Sequence, residues 1–256
     1  MDQKTIAPTE LAYFDPGDGR RIAYRYRPPV GGSPTLVFLP GYASDMEGLK
    51  AESLDLFCAT RGLGCLRLDY SGTGSSGGQF ADGTLDRWLE EVLAAIDMLT
   101  EGRLIVAGSS MGGWLALHAA LRRRDRVRGL LGIAAAPDFT DWGFSADEKE
   151  AIQRDGKLEQ ANPYGPEPYV TWRGFWESGA SHRLLYNAID LPIPVRLVHG
   201  EKDGDVPVGV AMKLMEDIHS ADVQLRIIKG GGHRLSEPHE IHAMLMELHV
   251  LVELSL

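Results

Sequence analysis

The sequence contains few cysteines, few basic residues and no long apolar segment, and each shortage argues against a class of protein. Its two cysteines, Cys58 and Cys65, lack the spacing of a metal site or a disulfide framework, so we expect buried, reduced thiols. Lysine and arginine total 26 against 36 acidic residues, and the net charge of −10 argues against binding to nucleic acid or an anionic membrane. No window of roughly 18 uninterrupted apolar residues occurs, so no membrane span is expected.

The N-terminal segment, Met1 to Pro8, shows no targeting pattern. It has no apolar core of the kind found in secretory signals, and it has no arginine-rich amphipathic pattern of the kind found in organelle presequences. Together with the reduced state expected for the cysteines, these features predict a cytoplasmic protein. The sequence contains no feature that predicts an oligomeric state.

Apolar runs alternate with amphipathic segments along most of the 256 residues. This alternation is typical of an α/β fold with a mostly parallel sheet and helices on both faces, in a single domain. Strands are predicted at 35–39, 63–69, 127–133, 194–199 and 223–228, and those at 35–39 and 127–133 are expected to be buried. Helices are predicted at 46–60, 84–99, 208–218 and 240–254.

The alternation stops between Asp138 and Ile189. A capping-box pattern at 145–148 predicts a short helix, and three prolines follow between 162 and 168. A loop of this length is usually functional or disordered, and the following aromatic residues argue against disorder: Trp142, Trp172, Phe175, Trp176 and Tyr186. We expect a small lid at about 138–189 that favours an acyl or aromatic substrate, or else an insertion packed only for its own stability.

The segment from Leu104 to Ala120 reads as an apolar strand, a glycine turn and an apolar helix. Residues 108–112 at the turn match G-x-S-x-G, with Ser110 at the centre. A serine on such a turn projects its hydroxyl from the backbone, and the free N–H groups of the helix start can stabilise an oxyanion. We therefore predict that Ser110 is a catalytic nucleophile; the alternative is a glycine turn that only packs the helix against the sheet.

A second glycine-rich loop offers two weaker matches. Residues 74–78 also fit G-x-S-x-G around Ser76, but no apolar helix follows directly. Residues 72–77 fit the dinucleotide pattern G-x-G-x-x-G, but the loop continues to Gly83 and follows a late strand rather than the first one. We therefore expect no organic cofactor.

Pro40, Gly41 and Tyr42 follow the strand predicted at 35–39. Ligands of open α/β sheets bind outside the carboxyl ends of the strands. The backbone N–H groups of Tyr42 and Met111 are therefore candidates for an oxyanion hole; a plain turn between strand and helix is the alternative for Tyr42.

His233 is the candidate general base among eight histidines, because it follows the last predicted strand and a run of glycines. The others fall on predicted helices, in a strand or in the insertion. His239 and His242, three residues apart, could bind a metal, but no carboxylate or cysteine pattern completes a site, so no metal is expected. Asp203 and Asp205, after the strand predicted at 194–199, are both candidates for the acid that orients His233.

The order serine, acid, histidine is that of α/β-hydrolases, and it differs from the orders of two protease families with the same triad. The chain resembles the α/β-hydrolase superfamily, most of all a branch that includes a mitochondrial palmitoyl-protein thioesterase that also opens acyl glucuronides. The resemblance covers about residues 36–137 and 192–237. It is carried by the motifs at 39–42, 67–76, 108–114, 199–207 and 232–234.

The resemblance implies an α/β-hydrolase fold and particular roles for several residues. The pattern H-G-x-x-D-x-x-V-P selects Asp203 over Asp205. Tyr42 and Met111 are implied as oxyanion donors, and Arg67 with Asp69 as a structural pair that supports the glycine loop. The expected activity is hydrolysis of a small carboxylic ester or thioester, with an acylated protein as one candidate substrate, through a covalent acyl-enzyme. The alternative is a non-catalytic binding protein with the same fold.

Overall fold

The computed structural model describes residues 7–163, 165–185 and 187–255. Met1 to Ile6, on which most of the targeting argument rested, and the aromatic residue Tyr186 lie outside these ranges. Within them, no helix is both long enough and apolar enough to cross a membrane.

Twelve strands and eight helices are found in these ranges. The strands are β1 (Leu11–Phe14), β2 (Ile22–Arg27), β3 (Thr35–Leu39), β4 (Gly64–Leu68), β5 (Leu104–Ser109), β6 (Val127–Ile133), β7 (Lys157–Gln160), β8 (Tyr169–Trp172), β9 (Ile189–Asp190), β10 (Val195–Gly200), β11 (Ile218–His219) and β12 (Val223–Ile228). The helices are α1 (Leu49–Arg61), α2 (Leu85–Leu99), α3 (Met111–Arg122), α4 (Phe139–Trp142), α5 (Ala146–Asp155), α6 (Arg173–Ser178), α7 (Val208–Asp217) and α8 (Pro238–Ser255).

Eight of the strands form one sheet in the order β1-β2-β4-β3-β5-β6-β10-β12. The β1–β2 and β2–β4 pairs are antiparallel, and the remaining pairs are parallel. Every residue of β3, β4, β5 and β10 is buried, as expected for strands covered on both faces. This is the α/β-hydrolase fold predicted from the sequence.

Helices cover both faces of this sheet. Helices α1 and α8 pack on one face, where Leu54 and Leu248 belong to the same apolar cluster. Helices α2, α3 and α7 contribute to the cluster on the other face. Thr84 caps α2 by accepting a hydrogen bond from the Arg87 N–H at 3.1 Å, and its apolar stripe includes the fully buried Trp88.

The segment predicted as a lid leaves the sheet after β6 and returns through β9 to β10. It contains α4, α5, a β7–β8 hairpin and α6. The predicted capping box is present, with Ser145 and Glu148 bonded reciprocally at the start of α5. Asp138 closes the base of the insertion, because its buried carboxylate accepts the N–H groups of Leu184 and Leu185 at 2.8–3.0 Å.

Candidate active site

Ser110 lies between β5 and α3 with φ 54° and ψ −121°, a conformation that few non-glycine residues adopt. Strained dihedrals of this kind cost about 1–3 kcal/mol and persist only where the surrounding structure fixes them. Glycines on either side make the turn possible. A Cβ on Gly108 would overlap the Gly112 carbonyl, and a Cβ on Gly112 would overlap the carbonyls of Leu39 and Pro40.

Backbone hydrogen bonds hold the strained turn. The Ser110 N–H donates to the Ile133 carbonyl at 2.9 Å, and the Ser110 carbonyl accepts from Gly113 at 2.9 Å and Ala136 at 3.0 Å. Two of these partners belong to β6 and the residues just after it, so the neighbouring strand braces the turn. The serine side chain consequently lines a cavity at the carboxyl edge of the sheet.

His233 connects Ser110 to Asp203. Its Nε2 lies 3.1 Å from Ser110 Oγ, and its Nδ1 lies 2.9 Å from Asp203 Oδ2. When Nδ1–H donates to the carboxylate, Nε2 is left to accept the serine hydroxyl. Three side chains predicted from distant parts of the sequence therefore form one hydrogen-bonded chain.

The Asp203 carboxylate has no exposed surface, and its hydrogen bonds favour the ionised form. Burial pushes its pKa upward, but the hydrogen bond and charge of His233, with the N–H groups of Val206 and Asp205, outweigh burial and hold the pKa below its usual value. Those two N–H groups bond to Oδ1 at 2.8 and 2.9 Å, while Oδ2 faces His233 at 2.9 Å and His199 at 3.4 Å. Asp205, the other candidate acid, contributes its backbone to this site and has an exposed side chain.

Tyr42 and Met111 both lie against the serine turn. No hydrogen bond from either backbone N–H group is found within the described ranges. Tyr42 is anchored through its side chain, whose hydroxyl donates to the Val170 carbonyl of β8 at 2.8 Å. Its ring packs against four others, with centroid distances from 4.6 to 6.2 Å: Phe80, Trp88, Phe139 and Phe175.

Two cavities open beside the Ser110 hydroxyl. One, of about 490 Å³, extends toward α1, and the other, of about 330 Å³, extends toward α4. Their shared wall residues are Tyr42, Ser110, Tyr169 and His233. The nucleophile candidate is thus reachable from two directions.

The glycine-rich loop after β4 is occupied by internal contacts. Ser76 Oγ donates to the Asp69 carbonyl at 2.7 Å and accepts the Ala23 N–H at 2.8 Å, so its position is structural. The Asp69 carboxylate accepts the N–H of Ser75 at 2.7 Å, inside that loop, and the N–H of Met46 at 2.8 Å.

The pair implied for Arg67 and Asp69 takes an indirect form. Arg67 donates to the Met46 carbonyl at 2.8 Å, and Asp69 accepts the Met46 N–H, while the described ion pairs of Arg67 are with Glu47 and Asp55. The two side chains therefore support the site through one residue of the loop before α1.

No described hydrogen bond joins another histidine to Ser110. His199 is buried at the end of β10, bonds to the Val206 carbonyl at 2.9 Å and has its Nε2 3.4 Å from Asp203 Oδ2. His118 donates to the His182 carbonyl at 2.9 Å, and His182 in turn bonds to Asp86 at 2.7 Å. Burial lowers the pKa of His118 to about 4, despite the hydrogen bond to His182. Across the described ranges, no group of three His, Cys, Asp or Glu side chains is arranged to hold a metal.

Two features of the site were not predicted from the sequence. Lys50, in the first turn of α1, lines the larger cavity and donates to the Arg234 carbonyl. The β7–β8 hairpin supplies Tyr169 to both cavities. Neither feature has a local sequence pattern that indicates a functional site. The tertiary fold alone brings both of them to the cavities that Ser110 lines.

The fold, the turn at Ser110 and the hydrogen bonds that link Ser110 to Asp203 through His233 are typical of α/β-hydrolases. Comparison with known proteins leads to the same class. The chain belongs to the alpha/beta hydrolase family, whose model matches residues 36–244. It is therefore a hydrolase by family.

Particular relatives match almost the whole chain. It is 35% identical over 249 residues to the human mitochondrial palmitoyl-protein thioesterase ABHD10, covering 96% of this chain and 81% of that protein. The mouse ABHD10 structure superposes with a TM-score of 0.88 at 34% identity, covering 95% and 98% of the two chains. A crystal structure from Agrobacterium vitis S4 superposes with a TM-score of 0.90 at 38% identity, covering 96% and 100%.

The comparison overturns the predicted cytoplasmic location. The relatives from human, mouse and orangutan are all named as mitochondrial proteins. The prediction was wrong because it rested on a short N-terminal segment and on two buried thiols. Reduced thiols indicate a reducing environment without identifying which compartment provides it.

Proposed function

We propose that the protein is a serine hydrolase that cleaves carboxylic esters or thioesters through a covalent acyl-enzyme. The observation that supports this most directly is the chain of hydrogen bonds from Ser110 Oγ through His233 to Asp203, 3.1 and 2.9 Å long, beside two cavities. Such a chain matches the arrangement in which a histidine activates a serine and an acid orients the histidine.

In this proposal, Ser110 Oγ attacks the carbonyl carbon while its proton passes to His233 Nε2. Asp203 stabilises the imidazolium through Nδ1. Collapse of the tetrahedral intermediate breaks the bond to the leaving oxygen or sulfur, which takes the proton from Nε2. Water then attacks the acyl-enzyme, giving a proton to His233 Nε2. Collapse of this second tetrahedral intermediate breaks the bond between the acyl carbon and Ser110 Oγ, which takes the proton back from Nε2 as the acid is released.

The Tyr42 and Met111 N–H groups are the proposed oxyanion donors. They lack internal acceptors in the described chain, and they flank the turn that presents Ser110. Removing one donor of this kind typically costs about 10²–10³ in kcat. The anchoring of Tyr42 to Val170 would fix one donor relative to the insertion.

We also propose that the insertion at about 138–189 acts as a lid. It supplies Tyr169 to both cavities and the aromatic wall of the smaller one. Both its ends are tied together by Asp138, so the segment is attached as one unit. The thioesterase name of the ABHD10 relatives supports a thioester as one substrate class of the site.

The decisive experiment is labelling with a fluorophosphonate probe, followed by mapping of the modified peptide. We expect the adduct on Ser110, and we expect no labelling and no hydrolysis of p-nitrophenyl butyrate with Ser110→Ala. Ser76→Ala is the matched control and should still be labelled. An adduct elsewhere, or a folded protein that neither reacts nor turns over, would refute the assignment and favour a binding protein.

Rates with a palmitoyl-thioester probe and a short-chain oxygen ester, measured side by side, would separate the two substrate classes. A thioesterase should favour the thioester by more than the intrinsic difference in reactivity of the two probes. Equal or reversed preference after that correction would identify a carboxylesterase.

A further inference from the structure

Two backbone N–H groups and two imidazoles face the oxygens of the buried Asp203 carboxylate. The N–H groups of Asp205 and Val206 bond to Oδ1. On the other side, Oδ2 lies 2.9 Å from His233 Nδ1 and 3.4 Å from His199 Nε2. The side chains of Asp203 and His199 are both buried, with 0% and 1% of their surfaces exposed. Because water does not reach this charge, the groups around it decide whether it stays ionised.

The proton on His199 Nε2 can be assigned from a second contact of the same nitrogen. Nε2 lies 2.9 Å from the Val206 carbonyl oxygen, which can only accept a hydrogen bond. Nε2 therefore carries a proton, and the positive end of this N–H group also faces Asp203 Oδ2. The distance of 3.4 Å to Oδ2 exceeds that of an ordinary hydrogen bond, so the contact with the carboxylate is electrostatic.

These contacts form a closed ring around the turn that carries the acid. The His199 N–H bonds to the Val206 carbonyl, and the Val206 N–H bonds to Asp203 Oδ1 at 2.8 Å. Asp203 Oδ2 then faces His199 again. A side chain near the end of β10 thus contacts both ends of the turn, and rotation of the carboxylate away from His233 would open the ring.

The loop that carries His233 is joined to the loop after β10 through the backbone. Two hydrogen bonds of 2.8 and 2.9 Å run from the N–H groups of residues 201–202 to carbonyls within residues 228–231. A Cβ on Gly200 would lie only 2.4–2.6 Å from backbone atoms of the histidine loop. Backbone contacts therefore fix the spacing of the two loops, and the orientation of the carboxylate is left to the groups that contact it.

We propose that His199 is a positioning residue for the acid of the proposed triad, whose Nε2–H keeps Asp203 ionised and its Oδ2 directed at His233. The inference rests on the proposed function, because His199 acts only through these two residues. An N–H group beside the carboxylate also offsets part of its negative charge. It therefore moderates the attraction between Asp203 and the imidazolium that forms during the reaction.

The test removes the donor and then restores it. His199→Phe keeps a ring without an N–H group, and His199→Gln places an amide nitrogen as many bonds from the backbone as Nε2. With p-nitrophenyl butyrate, His199→Phe should lower kcat by about tenfold, as expected for the loss of a donor beside a charged group. The midpoint of the acid limb of its kcat/KM profile should rise by about 0.5 pH unit or more, because the carboxylate then holds the imidazolium proton more strongly. His199→Gln should return both values toward those of the wild type.

His118→Phe is the matched control. His118 is also buried and donates to a carbonyl, that of His182 at 2.9 Å, and no described hydrogen bond joins it to the proposed triad. This variant should lose thermal stability, as His199→Phe does, but it should keep the wild-type kcat and midpoint. The charged groups and tyrosines that line the cavities with His233 are the same in all of these variants: Lys50, Arg234, Asp45, Glu167, Asp205, Tyr42 and Tyr169.

Nitrogen NMR of the wild-type protein tests the proposal without depending on the folding of a variant. With the His199 signals identified by their absence from His199→Gln, Nε2 should be protonated and Nδ1 unprotonated at about pH 8. An unprotonated Nε2 would overturn the proposal. So would an unchanged or lowered midpoint in folded His199→Phe, or a His199→Gln that behaves like His199→Phe. Failure of the proposed function looks different, because the wild-type protein itself would show no Ser110 adduct and no turnover.

Discussion

A single methyl group at Gly112 should disable the site without disturbing its three polar side chains. The Cβ of an alanine at this position would overlap the carbonyl oxygens of Leu39 and Pro40, which are backbone atoms at the end of β3. Backbone cannot rotate away as a side chain can. The loop that carries the Tyr42 N–H must therefore move away from the serine turn in Gly112→Ala.

The loop carries one proposed oxyanion donor, the Tyr42 N–H, and this sets the expected loss of activity in Gly112→Ala. Loss of one oxyanion donor predicts a fall in kcat of about 10²–10³, with a smaller change in KM because the donor acts mainly in the transition state. Overpacking of a buried contact costs about 1–3 kcal/mol of stability. For a protein of this size, each kcal/mol corresponds to roughly 2–4 °C in Tm.

Gly209→Ala is the matched control. Gly209 lies on α7 with no atom near the added Cβ, so the substitution should leave kcat unchanged and raise stability by up to about 1 kcal/mol. Both variants would be assayed with p-nitrophenyl butyrate, after titration of active sites with the fluorophosphonate and measurement of Tm. If folded Gly112→Ala keeps kcat within about threefold of wild type, the placement of the oxyanion donors is refuted.

Three further predictions concern the acid, the insertion and pH. Asp203→Asn should lower kcat by about 10⁴-fold, and Asp205→Asn should lower it by less than tenfold. Similar losses in the two variants would contradict the assignment of Asp203 as the acid that orients His233. Tyr42→Phe removes the hydroxyl that donates to the Val170 carbonyl and should destabilise the fold by about 1 kcal/mol, measured by urea denaturation. His118 has its pKa lowered by burial to about 4, so the unfolded chain binds its proton first and stability falls as pH drops through 6.5 toward 4. Between pH 7 and 5 this contributes a loss of about 2 kcal/mol that His118→Gln should lack; equal pH dependence of both proteins would contradict it.

The sheet could be predicted from the sequence where strands are buried on both faces. Strands β3 and β6 occupy the predicted residues, since a nearly continuous apolar run has few other interpretations. Strand β12 also occupies its predicted residues, although it lies at the edge of the sheet and is largely exposed. Helix α1 was predicted to begin at Met46, but it begins at Leu49. The Met46 N–H is bonded to the Asp69 carboxylate, a partner 23 residues away that no local pattern reveals.

The site could be predicted because its residues follow strands, and parallel strands end at the same edge of the sheet. Ser110 was chosen by that rule with the G-x-S-x-G turn, and His233 by that rule with the run of glycines before it. Asp203 was separated from Asp205 only by the resemblance to the family pattern. Their hydrogen bonds fit the predicted arrangement, while their catalytic roles await the labelling experiment. The hydrogen bonds of His182 with His118 and with Asp86 could not be predicted. The partners are 64 and 96 residues apart, respectively, and they meet only because the insertion packs against α2 and α3.

The sheet positions the proposed catalytic residues, whereas the insertion supplies part of the cavity walls beside them. Ser110 and Met111 follow β5, and His233 follows β12, so the sheet positions all three. The smaller cavity instead draws part of its wall from the insertion, which bonds to the rest of the chain through contacts such as Tyr42 with Val170 and Asp86 with His182. Substitutions in the insertion can therefore change the walls of this cavity while the hydrogen bonds from Ser110 through His233 to Asp203 stay intact. Likeness to a thioesterase in the loops at the sheet edge consequently supports the chemistry more strongly than it supports a palmitoyl substrate.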